Sequence, residues 1–143
     1  MLCPVCRCEM LTLEFRFVEL DHCPECGGVW LDSGEIALAA RQAGALQSDL
    51  LSALESEDIA AYDSSARRRC PVCAKRLERV RAPGTAGIAV ERCARRHGVW
   101  FDEGELETAV RAAGAEPGND LARFLAELAE RRRKGPRSER SPA

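Results

Sequence analysis

A chain of 143 residues is one ordinary domain or two small ones; it carries eight cysteines, two histidines and only 5% aromatic residues. The formal net charge of −2 hides a division: residues 1–66 hold 3 Lys and Arg against 12 Asp and Glu, a net of −9, and residues 67–143 hold 18 against 11, a net of +7. No apolar run approaches the roughly 18 residues of a membrane span, and Met1-Leu2-Cys3-Pro4 leaves no room for a signal peptide, so a cytoplasmic location is expected, where paired cysteines point to metal more than to disulfides.

In chain order, Cys3-Pro4-Val5-Cys6 opens the first unit. Leu11, Leu13, Phe15 and Phe17 then alternate with Thr12, Glu14 and Arg16, the period of a half-buried strand, and predict a short β-hairpin turning near Glu14–Arg16. Residues 23–35 read CPECGGVWLDSGE. Asp32, with Glu35 three residues on, has the spacing of a helix capping box, and Ile36, Ala39, Ala40 and Ala43 give the following helix one apolar face before Gly44 stops it. Ser48-Asp49-Leu50 looks like the start of a second helix.

The pattern then returns. Cys70-Pro71-Val72-Cys73 repeats the opener 67 residues later, and residues 93–105, CARRHGVWFDEGE, repeat 23–35 at an offset of 70. Leu77–Arg81 and Ile88–Arg92 flank the turn-rich segment 82–87 and predict a second hairpin. Asp102 and Glu105 recreate the capping box, Leu106, Ala109, Val110 and Ala113 the apolar face, and Gly114 the stop. Asn119-Asp120-Leu121 begins a further helix in which Leu121, Phe124, Leu125 and Leu128 share a face. The expected fold is a small metal-stabilised α+β chain of tandem zinc ribbons, each followed by two short helices. Its divisions are 1–62 (ribbon and helices), 63–69 (linker), 70–134 (ribbon and helices) and 135–143. The run from Arg131 onward, RRRKGPRSERSPA, has no apolar residue to dock it and reads as a disordered basic tail.

Cys3, Cys6, Cys23 and Cys26 form a complete four-thiolate set with the spacing of a tetrahedral zinc ribbon. In the second repeat Arg96 stands where Cys26 stood, and His97 one residue later supplies an imidazole, giving Cys70, Cys73, Cys93 and His97. Redox disulfides would not explain four ligands at one spacing. Iron also suits Cys-Pro-x-Cys-Gly knuckles, but the imidazole at the second site and the scarcity of aromatics favour zinc, two ions per chain. Because the ligands must be deprotonated, the loaded sites add charges of about −2 and about −1. Cys8 and His22 lie beside the first set without counterparts and read as bystanders. Both sets fill four positions, whereas a catalytic zinc keeps one open, so no enzyme is expected. Trp30 and Trp100 are expected to pack between hairpin and helix.

The repeated Cys-Pro-x-Cys followed by Gly-Val-Trp-Leu/Phe-Asp-x-Gly-Glu resembles the bacterial transcription-factor-IIB-type zinc-finger family, over roughly residues 1–42 and 68–112. The resemblance implies zinc at Cys3, Cys6, Cys23 and Cys26 and at Cys70, Cys73 and Cys93, with His97 departing from the four-cysteine form, and it suggests transcription. Arg67, Arg68, Arg69, Lys75, Arg76, Arg79, Arg81, Arg92, Arg95 and Arg96 cluster around the second ribbon. They favour nucleic acid, or a transcription-associated protein, as partner. The rival readings are a protein adaptor, or a scaffold that self-associates through its acidic and basic halves, and behind them a metal or redox sensor.

Overall fold

A computed structural model of the chain describes residues 1–42, 61–62, 67–81, 88–112 and 118–134. In the first repeat β1 (Leu11–Phe15) pairs antiparallel with β2 (Val18–His22), in register from Leu11↔His22 to Phe15↔Val18. The turn is therefore Arg16-Phe17, later than expected. Both residues have positive φ, 45° and 73°, as a two-residue type I′ turn demands. Neither is a glycine or asparagine, so composition does not mark the turn. Phe17 stands on it, 80% exposed, and does not continue the strand as its alternation suggested.

Each ribbon gains a third strand beyond the predicted hairpin. The Val-Trp stretches form β3 (Val29–Asp32) and, after β4 (Glu78–Arg81) and β5 (Ala89–Arg92), β6 (Gly98–Phe101). β3 and β6 pair antiparallel with Trp30 opposite Trp100, which joins the repeats into one six-stranded sheet of order β1-β2-β3-β6-β5-β4. Residues 70 apart are equivalent, and β3 pairs Val29 with Phe101 and Leu31 with Val99. The register is thus symmetric about the tryptophan pair, and an approximate two-fold axis passes there.

Strand alternation divides the side chains between two faces. On one face Val18, Leu20, Val29, Leu31, Val99 and Phe101 bury under α1 (Ser33–Gln42), α2 (Glu105–Ala112) and α3 (Asp120–Lys134). The helices contribute the apolar positions predicted for them: Ile36 and Ala39, then Leu106, Ala109 and Val110, then Leu121 and Leu125. On the other face Trp30 and Trp100 pack against Cys3, Cys23, Cys70 and Cys93. The tryptophans therefore lie between the sheet and the cysteine knuckles, and not between hairpin and helix.

α3 ties the second repeat back to the first. Asn119 caps it, accepting from the Ala122 N–H at 3.0 Å and donating to the Gln42 carbonyl at 2.9 Å. Phe124 stacks on Phe15 with centroids 4.9 Å apart, and Arg16 pairs with Asp120 at 2.5 Å. The helix continues through Arg131–Lys134, so the basic run begins inside ordered structure. The predicted stops at Gly44 and Gly114, the helix from Ser48, segment 82–87 and the tail from 135 lie outside the described residues. No helix among the described residues is long and apolar enough to cross a membrane.

Candidate metal centres

Each ligand set is built from two tight turns that aim backbone N–H groups at sulfur. In the first knuckle Val5 N and Cys6 N both donate to Cys3 Sγ at 3.3 Å, while Arg7 N closes the turn on the Cys3 carbonyl at 3.0 Å. In its partner knuckle Cys26 N donates to Cys23 Sγ at 3.4 Å and Gly27 N to the Cys23 carbonyl at 2.9 Å. The second repeat copies both. Val72 N donates to Cys70 Sγ at 3.3 Å, Ala74 N to the Cys70 carbonyl at 2.8 Å, and Arg95 N to Cys93 Sγ at 3.4 Å. Such N–H donors favour thiolate over thiol.

The hairpins bring the knuckles together. The ligand atoms of Cys3, Cys6, Cys23 and Cys26, and separately those of Cys70, Cys73, Cys93 and His97, lie within 4.8 Å of one another. Tetrahedral zinc with bonds of about 2.3 Å places sulfur pairs about 3.8 Å apart. The Cys3–Cys26 and Cys73–Cys93 pairs are each at 3.7 Å. His97 presents Nδ1, 3.4 Å from Cys93 Sγ and 4.0 Å from Cys70 Sγ, so the imidazole replaces the missing thiol within the same tetrahedron. Both sets fit zinc, and the chain binds two ions. Without metal the thiols share protons. The bond from Cys26 draws Cys3 down to about 5, and the same bond, then burial, pushes Cys26 far up. Burial raises Cys6 to about 11 and Cys70 to about 12, whereas at Cys73 it is outweighed by the Lys75 N–H and by Cys93, which bring that thiol to about 7. Loading must expel the retained protons, so zinc affinity falls in acid.

The Gly-Val-Trp-x-Asp stretch has its own geometry, and it crosses between repeats. A Cβ on Gly28 would overlap Cζ2 and Cη2 of Trp100, and one on Gly98 would lie 2.7 Å from Cζ2 of Trp30 and closer still to the Leu31 carbonyl. Each tryptophan thus lies on the glycine of the other repeat. Its indole N–H then donates back within its own strand, Trp30 to Asp32 at 2.9 Å and Trp100 to Asp102 at 3.1 Å. The predicted capping role of the aspartates is corrected accordingly: their carboxylates serve the indoles, because a buried Nε1–H needs an acceptor. Glu105 does complete its half of the box, accepting from Asp102 N at 2.9 Å, whereas Glu35 accepts from Glu19 N on β2 at 2.7 Å.

Residues that follow the aspartates brace the opposite metal site. Ser33 donates through its hydroxyl to the Arg96 carbonyl at 2.5 Å and through its N–H to the His97 carbonyl at 3.2 Å. The equivalent residue, Glu103, lies against Gly27 and pairs with Arg132 of α3, which donates in turn to the Glu25 carbonyl at 3.0 Å. Nothing in the sequence placed Arg132 at the first zinc knuckle.

Cys8 Sγ lies 3.3 Å from Cys23 Sγ, outside the four-ligand group. His22 is 95% buried, and burial, then Arg132, lowers its pKa and keeps the ring neutral. The basic positions divide into two kinds. Arg68 reaches inward to Glu91 at 2.6 Å and Asp102 at 2.8 Å, and the buried Arg92 pairs with Glu78 at 2.9 Å. Arg67, Arg69, Lys75, Arg76, Arg79, Arg81, Arg95 and Arg96 are exposed, with Arg81 lying over the Tyr62 ring at 4.8 Å. Against known proteins, the family model described as transcription factor zinc-finger matches residues 2–38 and 69–112, once in each repeat. No curated protein and no solved structure matches the chain.

Proposed function

We propose that this chain, which belongs to the transcription factor zinc-finger family and carries its ribbon twice, is a non-enzymatic binding module that holds nucleic acid on the outer surface of its second ribbon. Zinc has a structural part here: each ion would be held by four protein ligands, leaving no position for a reacting water. One observation carries the choice of partner. The acidic residues of β4 and β5, Glu78 and Glu91, are turned inward onto Arg92 and Arg68. What the second ribbon shows to solvent is therefore mainly cationic, from Arg67 through Lys75 and Arg76 to Arg95. Positive charge on an edge strand also guards against strand addition, but Lys75, Arg76 and Arg95 lie outside the strands, where that explanation does not reach.

The test is a salt titration with labelled duplex and single-stranded oligonucleotides. Binding should weaken linearly in log salt, with a slope of about −0.9 per phosphate neutralised on duplex. Arg76→Glu combined with Arg95→Glu should flatten the slope while two zinc ions are retained. An unchanged slope, or no binding at low salt, would refute the reading.

A further inference from the structure

The two opening knuckles, distant in sequence, face each other across the approximate two-fold axis and leave a groove of about 310 Å³ between them. Met1, Leu2, Pro4 and Arg7 line one side, and Arg69 and Pro71 the other. Leu2 is 49% exposed, and next to the two prolines stand Val5 and Val72, also exposed. With Met1, these three knuckle residues make up four of the seven large apolar side chains that the described residues show to solvent. Two arginines and no carboxylate line the groove. An isolated exposed leucine or valine is ordinary, but apolar side chains gathered at a concave site mark an interaction surface.

We propose that this groove is a second binding surface, adjoining the cationic face of the second ribbon and sharing Arg69 with it, and that it takes an acidic peptide segment bearing aliphatic side chains. The aliphatic groups would replace water against Leu2, Pro4 and Pro71, and the carboxylates would pair with Arg7 and Arg69, whose guanidinium groups match them in two-point geometry. Nucleobases fit less well, because no aromatic residue lines the groove to stack on them. The buried ligands Cys3 and Cys70 also line it. The groove consequently exists only when both knuckles are folded on their metal, and neither repeat alone contains it.

The experiment uses the full zinc-loaded chain and fluorescence anisotropy of a short labelled peptide of glutamate and serine with two leucines. The controls are the same peptide with serine for leucine, the same peptide with lysine for glutamate, and a labelled duplex. The leucine–glutamate peptide should bind, and both peptide controls should bind at least about tenfold more weakly. Arg7→Glu should weaken the first peptide about tenfold, since like charges then meet across the interface. Leu2→Ser should weaken it severalfold. Both variants should keep two zinc ions and leave duplex binding unchanged, because neither residue belongs to the second ribbon. Chelating the metal should abolish peptide binding. The proposal is overturned if the serine peptide binds as well as the leucine peptide, if Arg7→Glu binds as the wild type does, or if no peptide binds. It is equally overturned if Arg7→Glu instead disperses a self-associated form in sedimentation, which would make a second copy of the chain the occupant.

Discussion

Gly28→Ala asks whether the tryptophan of one repeat needs the glycine of the other. The new methyl would overlap the six-membered ring of Trp100, which is fully buried and tethered through its indole N–H to Asp102. Forcing an extra carbon into such packing costs about 1–3 kcal/mol. Alanine returns about 0.4–1 kcal/mol by narrowing the unfolded ensemble. A net loss of about 1.3 kcal/mol follows, which for a chain of this size lowers the melting temperature by roughly 4 °C. Gly98→Ala should cost more, because its methyl meets the Leu31 carbonyl as well as Trp30, and backbone yields less readily than a ring. The assay is urea unfolding of the zinc-loaded chain, followed by tryptophan fluorescence. A double-mutant cycle of Gly28→Ala with Trp100→Phe then isolates the contact, because the smaller ring relieves the clash and the losses should be less than additive. If Gly28→Ala unfolds as the wild type does, or the two changes add, the tryptophan does not depend on the opposite glycine and this account of the repeat pairing fails.

Asp32→Ala and Asp102→Ala should each destabilise by about 1–3 kcal/mol through an unsatisfied buried indole N–H, Asp102 the more because it also holds Arg68. The Asn variants, which still accept, should lose less, and zinc content should not change; equal losses for Asn and Ala in chemical unfolding would contradict the indole role. Burial, helped by the Asp102 and Glu91 charges, raises the Glu105 carboxyl to about 7. A pKa above the unfolded value of about 4.3 means that stability from the protonated form is complete at low pH and is lost as pH rises through about 7. Glu105→Gln should therefore be more stable than wild type at about pH 8 and gain less at about pH 6; a pH-independent difference would refute it. Phe17→Gly should stabilise by about 0.5–1 kcal/mol, since Phe17 holds a left-handed conformation that glycine adopts without strain; a loss in the same unfolding assay would show that the exposed ring has a partner.

The ligand sets were legible because spacing determines which donors two knuckles can bring together, and His97, one residue beyond the place of Cys26, reaches the same tetrahedron with its longer side chain. The helix faces were legible through Ile36, Leu106 and Leu121, whose periodicity is local. What escaped was non-local. β3 and β6 are short and buried on both faces, so Val29-Trp30-Leu31 shows no alternation, and its partner lies in the other repeat. Asp-x-x-Glu suits a capping box and an indole acceptor equally well, and only the fold shows Trp30 reaching Asp32. Composition likewise cannot separate Arg92 from Arg95. The register does, by setting Arg92 opposite Glu78 across the strand pair.

The measurement that bears most directly on the whole account is native mass spectrometry of the chain purified without added metal, with Cys26→Ser and Cys93→Ser beside it. The account predicts two zinc ions in the wild type, a missing first-site ion in Cys26→Ser and a missing second-site ion in Cys93→Ser. Iron in place of zinc, a single ion in the wild type, or both ions retained in Cys93→Ser would contradict it.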